Sequence, residues 1–272
     1  MPAIALLDIG HTRVKLASAT TLAPFDIERL SEWDTHSVDW AEIAAWVQTH
    51  VVADELRCCC VVRSWMEEAS NLDLETLFAM PVRMLAVGTA TAYDPSQLGV
   101  DRYLLSQGAL AYHHETALVV SAGTTITLDV VTHADKQSEN DSQTGSEINS
   151  VKDSRLIHQG GWILPGLSVL KQGFEHSTPH FPPLKYPEAN SNTQGIQIPI
   201  QTHDAISQGF ALSLTTMISS LLDEYEIADV YFTGGDGATL RDLWESYAQN
   251  PHDTHVEVVP DLLFYGMMVS SE

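Results

Sequence analysis

Two spacings of apolar residues alternate along this chain. Short continuous apolar runs are typical of buried strands, and segments with an apolar position every three or four residues are typical of helices that bury one face. The runs predict strands at 3–9, 12–18, 58–63, 82–87, 117–132 (a hairpin), 228–232 and 255–259, and the helical spacing predicts helices at 39–50, 72–80, 101–113, 168–175, 204–225, 238–247 and 261–269. Because strands alternate with helices, we predict an α/β fold in which hairpins add antiparallel strands to a mixed sheet in each half.

Two segments carry neither spacing. Residues 133–157 are rich in Ser, Asp, Glu, Asn and Gln and contain few apolar residues, so they predict a flexible insertion between two strands. Residues 179–201, rich in Pro and Asn, predict a loop. We assign no function to the insertion.

Two stretches, Leu6–Thr12 and Val119–Thr125, share one sequence pattern. In each, an apolar strand ends in a small polar residue, followed by a spacer, a Gly and a Thr, and a second apolar strand begins at once. This pattern predicts a tight hairpin that presents glycine backbone and a threonine hydroxyl to a ligand, since Gly permits close approach and successive turn N–H groups form an anion site. Two copies predict a duplicated phosphate-binding domain, 1–115 and 116–272, that holds a nucleotide between its halves.

Asp8, at the end of the first strand, is a candidate for the chemistry of phosphoryl transfer. That reaction needs the phosphates cradled, Mg²⁺ held and the acceptor hydroxyl placed in line. An Asp beside a glycine turn can hold Mg²⁺ directly or through water, and Thr12 can donate to a phosphate oxygen. The motif alone leaves an alternative open, in which Asp8 satisfies the amides of its own turn.

Asp101 opens a predicted helix in the run Gly99-Val100-Asp101-Arg102, and it too has two interpretations. As a helix N-cap it only accepts a backbone N–H. As a general base it takes the proton of an alcohol that attacks a γ-phosphate, and Arg102 then clamps a substrate carboxylate.

Composition narrows the class of partners. The formal net charge of −23, from 13 basic and 36 acidic residues, opposes binding to nucleic acid and to anionic membranes, so an anionic substrate must be met locally by backbone N–H groups, a cation or a few basic residues. We see no apolar run near the roughly 20 residues of a membrane span and no signal peptide, and expect a cytoplasmic protein. The adjacent Cys58, Cys59 and Cys60 suit a buried strand, in which Cys acts as a small apolar residue.

Together these motifs resemble those of the type III pantothenate kinases, members of the superfamily that contains acetate kinase, the sugar kinases, heat-shock proteins and actin. The resemblance runs nearly end to end and rests on five segments in order. They are Asp8-Ile9-Gly10-His11-Thr12 with Lys15; Gly99-Val100-Asp101-Arg102; Gly123-Thr124-Thr125-Ile126-Thr127; Gly160-Gly161-Trp162-Ile163-Leu164-Pro165-Gly166; and Thr202-His203-Asp204-Ala205-Ile206-Ser207-Gln208-Gly209 with the later Thr233-Gly234-Gly235-Asp236.

The resemblance implies two ribonuclease H-like domains with mixed sheets and the ATP-dependent phosphorylation of pantothenate, the first step of coenzyme A synthesis. It implies Asp101 as the base, Asp8 as the Mg²⁺ ligand, and a homodimer whose interface includes the helix at 204–225. It places ATP and its phosphates at Asp8, Ile9, Gly10, His11, Thr12, Arg13, Val14, Lys15, Gly123 and Thr124, and pantothenate at Tyr93, Gly99, Val100, Asp101, Arg102 and Thr202.

Two positions depart from the family pattern. His11 stands where the family usually has Asn, and because imidazole still donates a hydrogen bond we expect a modest effect. Ser121 stands where the family usually has an Asp that binds a monovalent cation, K⁺ or NH₄⁺. A neutral hydroxyl is a poorer cation ligand than a carboxylate, so we expect weak or absent activation by K⁺.

Two other functions stay open from the sequence. The first is a superfamily kinase for another small alcohol or carboxylate, since the hairpins recognise ATP and not the acceptor. The second is a non-catalytic regulatory protein that binds nucleotide. The charge of −23 argues against direct DNA contact by such a regulator, and the presence of both Asp8 and Asp101 argues against lost catalysis.

Overall fold

The computed structural model describes residues 3–20, 26–109, 116–133, 156–186, 198–247 and 254–270. The chain divides into two compact units. Unit 1 consists of Met1–Tyr112 with Asp261–Glu272, and unit 2 consists of His113–Pro260. The last segment of the chain therefore belongs with the first unit, although it follows unit 2 in sequence.

Unit 1 is built on a five-stranded mixed sheet with the strand order β3-β2-β1-β4-β5. The strands are β1 (Ala3–Ile9), β2 (Arg13–Thr20), β3 (Ile27–Asp34), β4 (Glu55–Cys60) and β5 (Val82–Met84). Strand β2 runs antiparallel to its neighbours β1 and β3, and β1, β4 and β5 are parallel. Because successive side chains of a strand point to opposite faces, β1 contributes Leu7 and Ile9 to one core and Ile4 and Leu6 to another.

Helices cover both faces of this sheet. Within the described residues its helices are α1 (Trp40–His50), α2 (Arg63–Ala69), α3 (Leu74–Phe78), α4 (Val100–Ala109) and α8 (Leu262–Val269). The first three pack on the face of Leu7, and α4 and α8 pack on the face of Leu6. The backbones of α4 and α8 lie in close contact at Gly266. A Cβ at that position would collide with the carbonyl oxygen of Leu104. This contact explains why α8 belongs to unit 1.

Unit 2 repeats the same arrangement. Its strands are β6 (Ala117–Ala122), β7 (Thr125–His133), β8 (Leu156–Pro165), β9 (Asp229–Thr233) and β10 (His255–Val258), and its helices are α5 (Leu167–Ser177), α6 (Thr202–Glu224) and α7 (Gly237–Tyr247). The sheet order is β10-β9-β6-β7-β8. Strand β7 runs antiparallel to its neighbours β6 and β8, and β6, β9 and β10 are parallel. The duplicated mixed α/β fold predicted from the sequence is confirmed.

Three elements differ from the prediction. Strand β3 was missed because its sequence is largely polar, as suits an edge strand that pairs only with β2. Helix α2 starts at Arg63, where the prediction had the end of a strand. Strand β8 starts at Leu156, inside the predicted insertion; residues 134–155 of that insertion and 187–197 of the predicted loop lie outside the described residues.

Helix α6 is long and apolar enough to cross a membrane by length and composition alone. The sequence pattern had predicted no apolar run of this length. In the structure one face of α6 packs into the core of unit 2 through Ala211, Leu214, Ile218 and Leu222. A core helix passes the same test of length and composition, so a single such helix is weak evidence for a membrane span.

Candidate functional site

The first hairpin folds as predicted around Gly10. The Gly10 N–H donates to the carbonyl oxygen of Arg13 (N···O 3.0 Å), which closes the turn between β1 and β2. From the loop after β3, the Thr35 hydroxyl donates to the Gly10 carbonyl (2.8 Å) and the Thr35 N–H donates to the Thr12 carbonyl (3.2 Å). Thr35 thus holds the turn in place. It could not be predicted from sequence, because it is distant from the hairpin along the chain and belongs to no motif.

The predicted phosphate-binding residues of this hairpin fall into two groups. Ile9 and Val14 are buried in the core, so only their backbone can face a ligand. His11, Thr12 and Arg13 are exposed at the turn, where side-chain donors can reach a phosphate.

Asp8 lies in a cross-strand row of three polar or ionisable side chains. Its register partners are Lys15 on β2 and Cys59 on β4. The Asp8 side chain is buried, and burial raises the pKa of its carboxyl group to about 6. Lys15 and a hydrogen bond from Cys59 oppose that rise, whereas the charge of Asp101 adds to it. A carboxylate that is desolvated and lies near a second carboxylate is a favourable ligand for a cation.

Asp101 lies in the first turn of α4, on the same face of the sheet as Asp8. The Arg102 N–H donates to Asp101 Oδ1 (2.9 Å), which fixes the carboxylate. A Cβ on Gly99 would meet that same oxygen, so a side chain at this position would require the Asp101 carboxylate to shift. The charge of Asp101 acts on the Asp8 carboxyl group, so the structure brings these two carboxylates near each other within unit 1.

The two carboxylates suit a divalent cation that other groups help to hold. Among the described residues, no group of three or more His, Cys, Asp or Glu side chains is placed to enclose a metal ion. Mg²⁺ in phosphoryl-transfer sites is usually held by one or two carboxylates with phosphate oxygens and water. Asp8 fits that kind of site.

Arg102 and Tyr93 form a second feature beside Asp101. The Arg102 guanidinium lies 5.4 Å from the centroid of the Tyr93 ring, a cation–π distance. Arg102 is buried, and the Tyr93 N–H donates to the Thr91 hydroxyl (3.0 Å). Two residues predicted to bind the acceptor are thus adjacent to each other and to the candidate base.

The second hairpin lies in unit 2, where it contacts the segments that contain Gly166 and Gly234. The Gly123 N–H donates to the Thr125 carbonyl (2.9 Å), and the Gly166 N–H donates to the Thr124 carbonyl (3.0 Å). A side chain at Gly166 would collide with the Gly123 carbonyl, and one at Gly234, whose φ is +84°, would collide with that of Ala122. The Gly-Gly-x-Ile-x-Pro-Gly and Thr-Gly-Gly-Asp segments therefore support this hairpin, and Thr124 remains exposed at its tip.

Ser121 lies in a row of neutral hydroxyls. Its register partners are Thr127 on β7 and Thr233 on β9. The buried Thr127 hydroxyl has no hydrogen-bond partner within the described part of the chain. The carboxylate of Asp129, two residues along β7, is hydrogen-bonded to His158 Nε2 (2.8 Å), and both side chains are fully buried. The oxygens beside Ser121 are therefore neutral, which makes this row a poor match for a cation.

Unit 2 also contains Thr202 and a groove beside β8. Thr202, a predicted acceptor-binding residue, is exposed at the first residue of α6. A groove of about 480 Å³ lies where Gln159 and the segment Gly160–Trp162 of β8 face Val130, Thr132 and Tyr225, and it contains none of the predicted site residues.

The comparisons with known proteins agree with this arrangement. A glucokinase from an Antarctic psychrotroph matches the structure with a TM-score of 0.50 and 12% sequence identity over 98% of each chain, which shows a shared fold. Two copies of one mixed α/β unit, each with a glycine hairpin at its first strand pair, define the fold that this chain shares with that glucokinase.

Sequence comparison points to the type III pantothenate kinases. A family model described as type III pantothenate kinase matches residues 4–138. A type III pantothenate kinase from Colwellia psychrerythraea is 27% identical over 97% of this chain and 98% of its own length. One from Campylobacter jejuni is 31% identical over 54% of each chain. These matches confirm that the chain resembles the type III pantothenate kinases, as its motifs predicted.

Proposed function

We propose that this protein transfers the γ-phosphoryl group of ATP to the primary hydroxyl of pantothenate, giving phosphopantothenate in the first step of coenzyme A synthesis. The observation that carries the proposal is the convergence of Asp8 and Asp101 beside the Gly10 hairpin, in a chain that resembles this family. In this proposal the Asp8 carboxylate binds the metal ion, and the Asp101 carboxylate accepts the proton of the acceptor hydroxyl.

Asp101 acts as the general base. Its carboxylate is fixed by the Arg102 N–H, and it accepts the proton of the pantothenate hydroxyl as that oxygen attacks phosphorus. Pantothenate carries a carboxylate, which the Arg102 guanidinium binds as a charged donor. Tyr93, packed on that guanidinium, and the backbone of Gly99 and Val100 line the same site.

Asp8 holds Mg²⁺, which when bound neutralises charge on the phosphates. The turn of the first hairpin supplies Gly10, His11, Thr12 and Arg13, with Lys15 behind them, to the phosphates. The resemblance also assigns Gly123 and Thr124 to ATP binding and Thr202 to pantothenate binding. In this proposal the enzyme is a cytoplasmic homodimer with part of α6 at the interface. Sedimentation of the purified protein tests whether it forms a dimer.

The test is ADP release from purified protein supplied with ATP, Mg²⁺ and pantothenate. Asp101→Asn should lower kcat by about 10²–10⁴, the usual contribution of a general base, while ATP affinity changes little. Asp73→Asn is the matched control, because Asp73 is an exposed N-cap of α3 in the same unit and Asn also caps helices.

Two results would contradict the proposal. Turnover in Asp101→Asn within about tenfold of the starting protein would remove Asp101 as the base. A folded protein that binds ATP but releases no pantothenate-dependent ADP would point to another acceptor, or to a regulatory protein that has kept only nucleotide binding.

A further inference from the structure

The three adjacent cysteines of β4 do not share one environment. Cys58 and Cys60 pack with Leu7 and Ile9 in the core beneath α1, α2 and α3. Cys59 points to the opposite face, into the core that contains Leu6 and residues of α4 and α8. This is also the face of Asp8, and Cys59 and Asp8 are register partners on parallel strands.

The Cys59 thiol lies beside the Asp8 carboxylate, since the two residues are register partners on the same face of adjacent strands. Cys59 is completely buried, and an ordinary thiol, with a pKa of about 8.5, keeps its proton at neutral pH. It is therefore placed to donate a hydrogen bond to the Asp8 carboxylate.

The partners of Asp8 lie on opposite sides of β1. Lys15 attracts the carboxylate from β2, and Cys59 bonds it from β4. Contacts on both flanks restrict rotation of the carboxylate about its Cα–Cβ and Cβ–Cγ bonds. An outer partner that fixes the orientation of a metal ligand usually contributes substantially to metal affinity.

We propose that Cys59 is a positioning residue, whose thiol orients the Asp8 carboxylate toward the divalent cation that accompanies ATP. The inference rests on the proposed function, since it takes Asp8 as the residue that holds Mg²⁺. It assigns a role to one cysteine of the three and leaves the other two as packing residues.

The experiment measures binding of Mn²⁺, a spectroscopic substitute for Mg²⁺, in the presence of a non-hydrolysable ATP analogue. Cys59→Ala removes the donor, Cys59→Ser retains one, and Cys58→Ala removes the same volume on the opposite face of the same strand. We expect Cys59→Ala to weaken Mn²⁺ binding by about tenfold, the low end for loss of an outer partner, because a thiol is a weak donor. Cys59→Ser and Cys58→Ala should bind Mn²⁺ like the unmodified protein.

Kinetics and folding give independent readouts. Cys59→Ala should raise the Mg²⁺ concentration needed for half-maximal turnover, and Cys59→Ser should restore it. Denaturant titration of each variant shows whether the two alanine variants lose similar stability, as two buried truncations of equal size should. A stability loss shared by both with a metal defect in only one separates positioning from packing.

Three outcomes would overturn the inference: unchanged Mn²⁺ affinity in Cys59→Ala, equal loss in Cys58→Ala and Cys59→Ala, or failure of Cys59→Ser to bind Mn²⁺ normally. Asp8→Asn serves as the reference, and if it binds Mn²⁺ normally, Asp8 is not a ligand and the inference fails. Because Mn²⁺ binding needs no pantothenate, these results are independent of whether pantothenate is the acceptor.

Discussion

Replacing Asp8 by Asn should make the protein more stable at neutral pH while removing its activity. The folded protein holds the Asp8 carboxyl group where burial raises its pKa from the ordinary value of 3.8 to about 6. Between these values the folded state keeps a proton that the unfolded state releases. Stability from this group is therefore fully present below pH 3.8 and is lost as the pH rises through about 6.

The size of the effect follows from the pKa difference. At about 1.4 kcal/mol for each pKa unit, ionised Asp8 costs about 3 kcal/mol of folding free energy at neutral pH. The neutral amide of Asn carries no such cost and is similar in shape. About 1.4 kcal/mol of this loss of folding free energy falls between pH 5 and pH 8. That pH range lies above the isoelectric point of about 4.6.

The assay is denaturant unfolding of both proteins at pH 5, 6, 7 and 8 with EDTA, so that no divalent cation occupies the site. The stability advantage of Asp8→Asn should grow with pH, by about 1.4 kcal/mol across the range. Asp73→Asn is the control: hydrogen bonds with Thr76 lower the pKa of Asp73, so its ionisation is complete throughout and its difference from the unmodified protein should be flat. An Asp8→Asn advantage that does not change with pH, or a less stable variant at pH 8, would refute the reasoning.

Two further predictions concern glycine packing and the cation position. Gly266→Ala should destabilise the protein by about 1–3 kcal/mol, because the new Cβ would collide with the Leu104 carbonyl oxygen on α4. Gly173→Ala is the control: its Cβ would lie in open space on α5, so it should be neutral or stabilising by up to about 1 kcal/mol. Thermal unfolding measures both changes. Turnover should respond weakly or not at all to K⁺ with Ser121 in place, and Ser121→Asp should create activation by K⁺; strong saturable activation of the unmodified protein would contradict this.

The hairpins and most helices could be predicted from sequence because their causes are local. A strand that ends at Gly10 or Gly123 needs only its own turn geometry, and α1 begins at Asp39 with a capping box that its sequence contains. Strand β3 could not be predicted in this way. Its residues are mainly polar, and it exists as a strand because β2 offers an open edge for pairing.

The candidate site shows the same division. The motifs indicated Asp8 and Asp101 separately, but each had an ordinary interpretation as a turn or cap residue. Asp101 lies within the first turn of α4 and not at its N-cap position, and its carboxylate accepts the N–H of Arg102. Packing of α4 on the sheet brings it near Asp8, which no local pattern predicts.

The sequence by itself determined the duplicated hairpins, the alternation of strands and helices, and the residue types available for phosphoryl transfer, because these depend on neighbours within a few positions. The tertiary structure decided which of three identical cysteines meets Asp8 and why α8 returns to unit 1. Strand periodicity puts Cys59 on the face opposite Cys58 and Cys60, but only the parallel register of β1 and β4 makes that face the one with Asp8. Register and helix contact join residues far apart in the chain, so no local pattern records them.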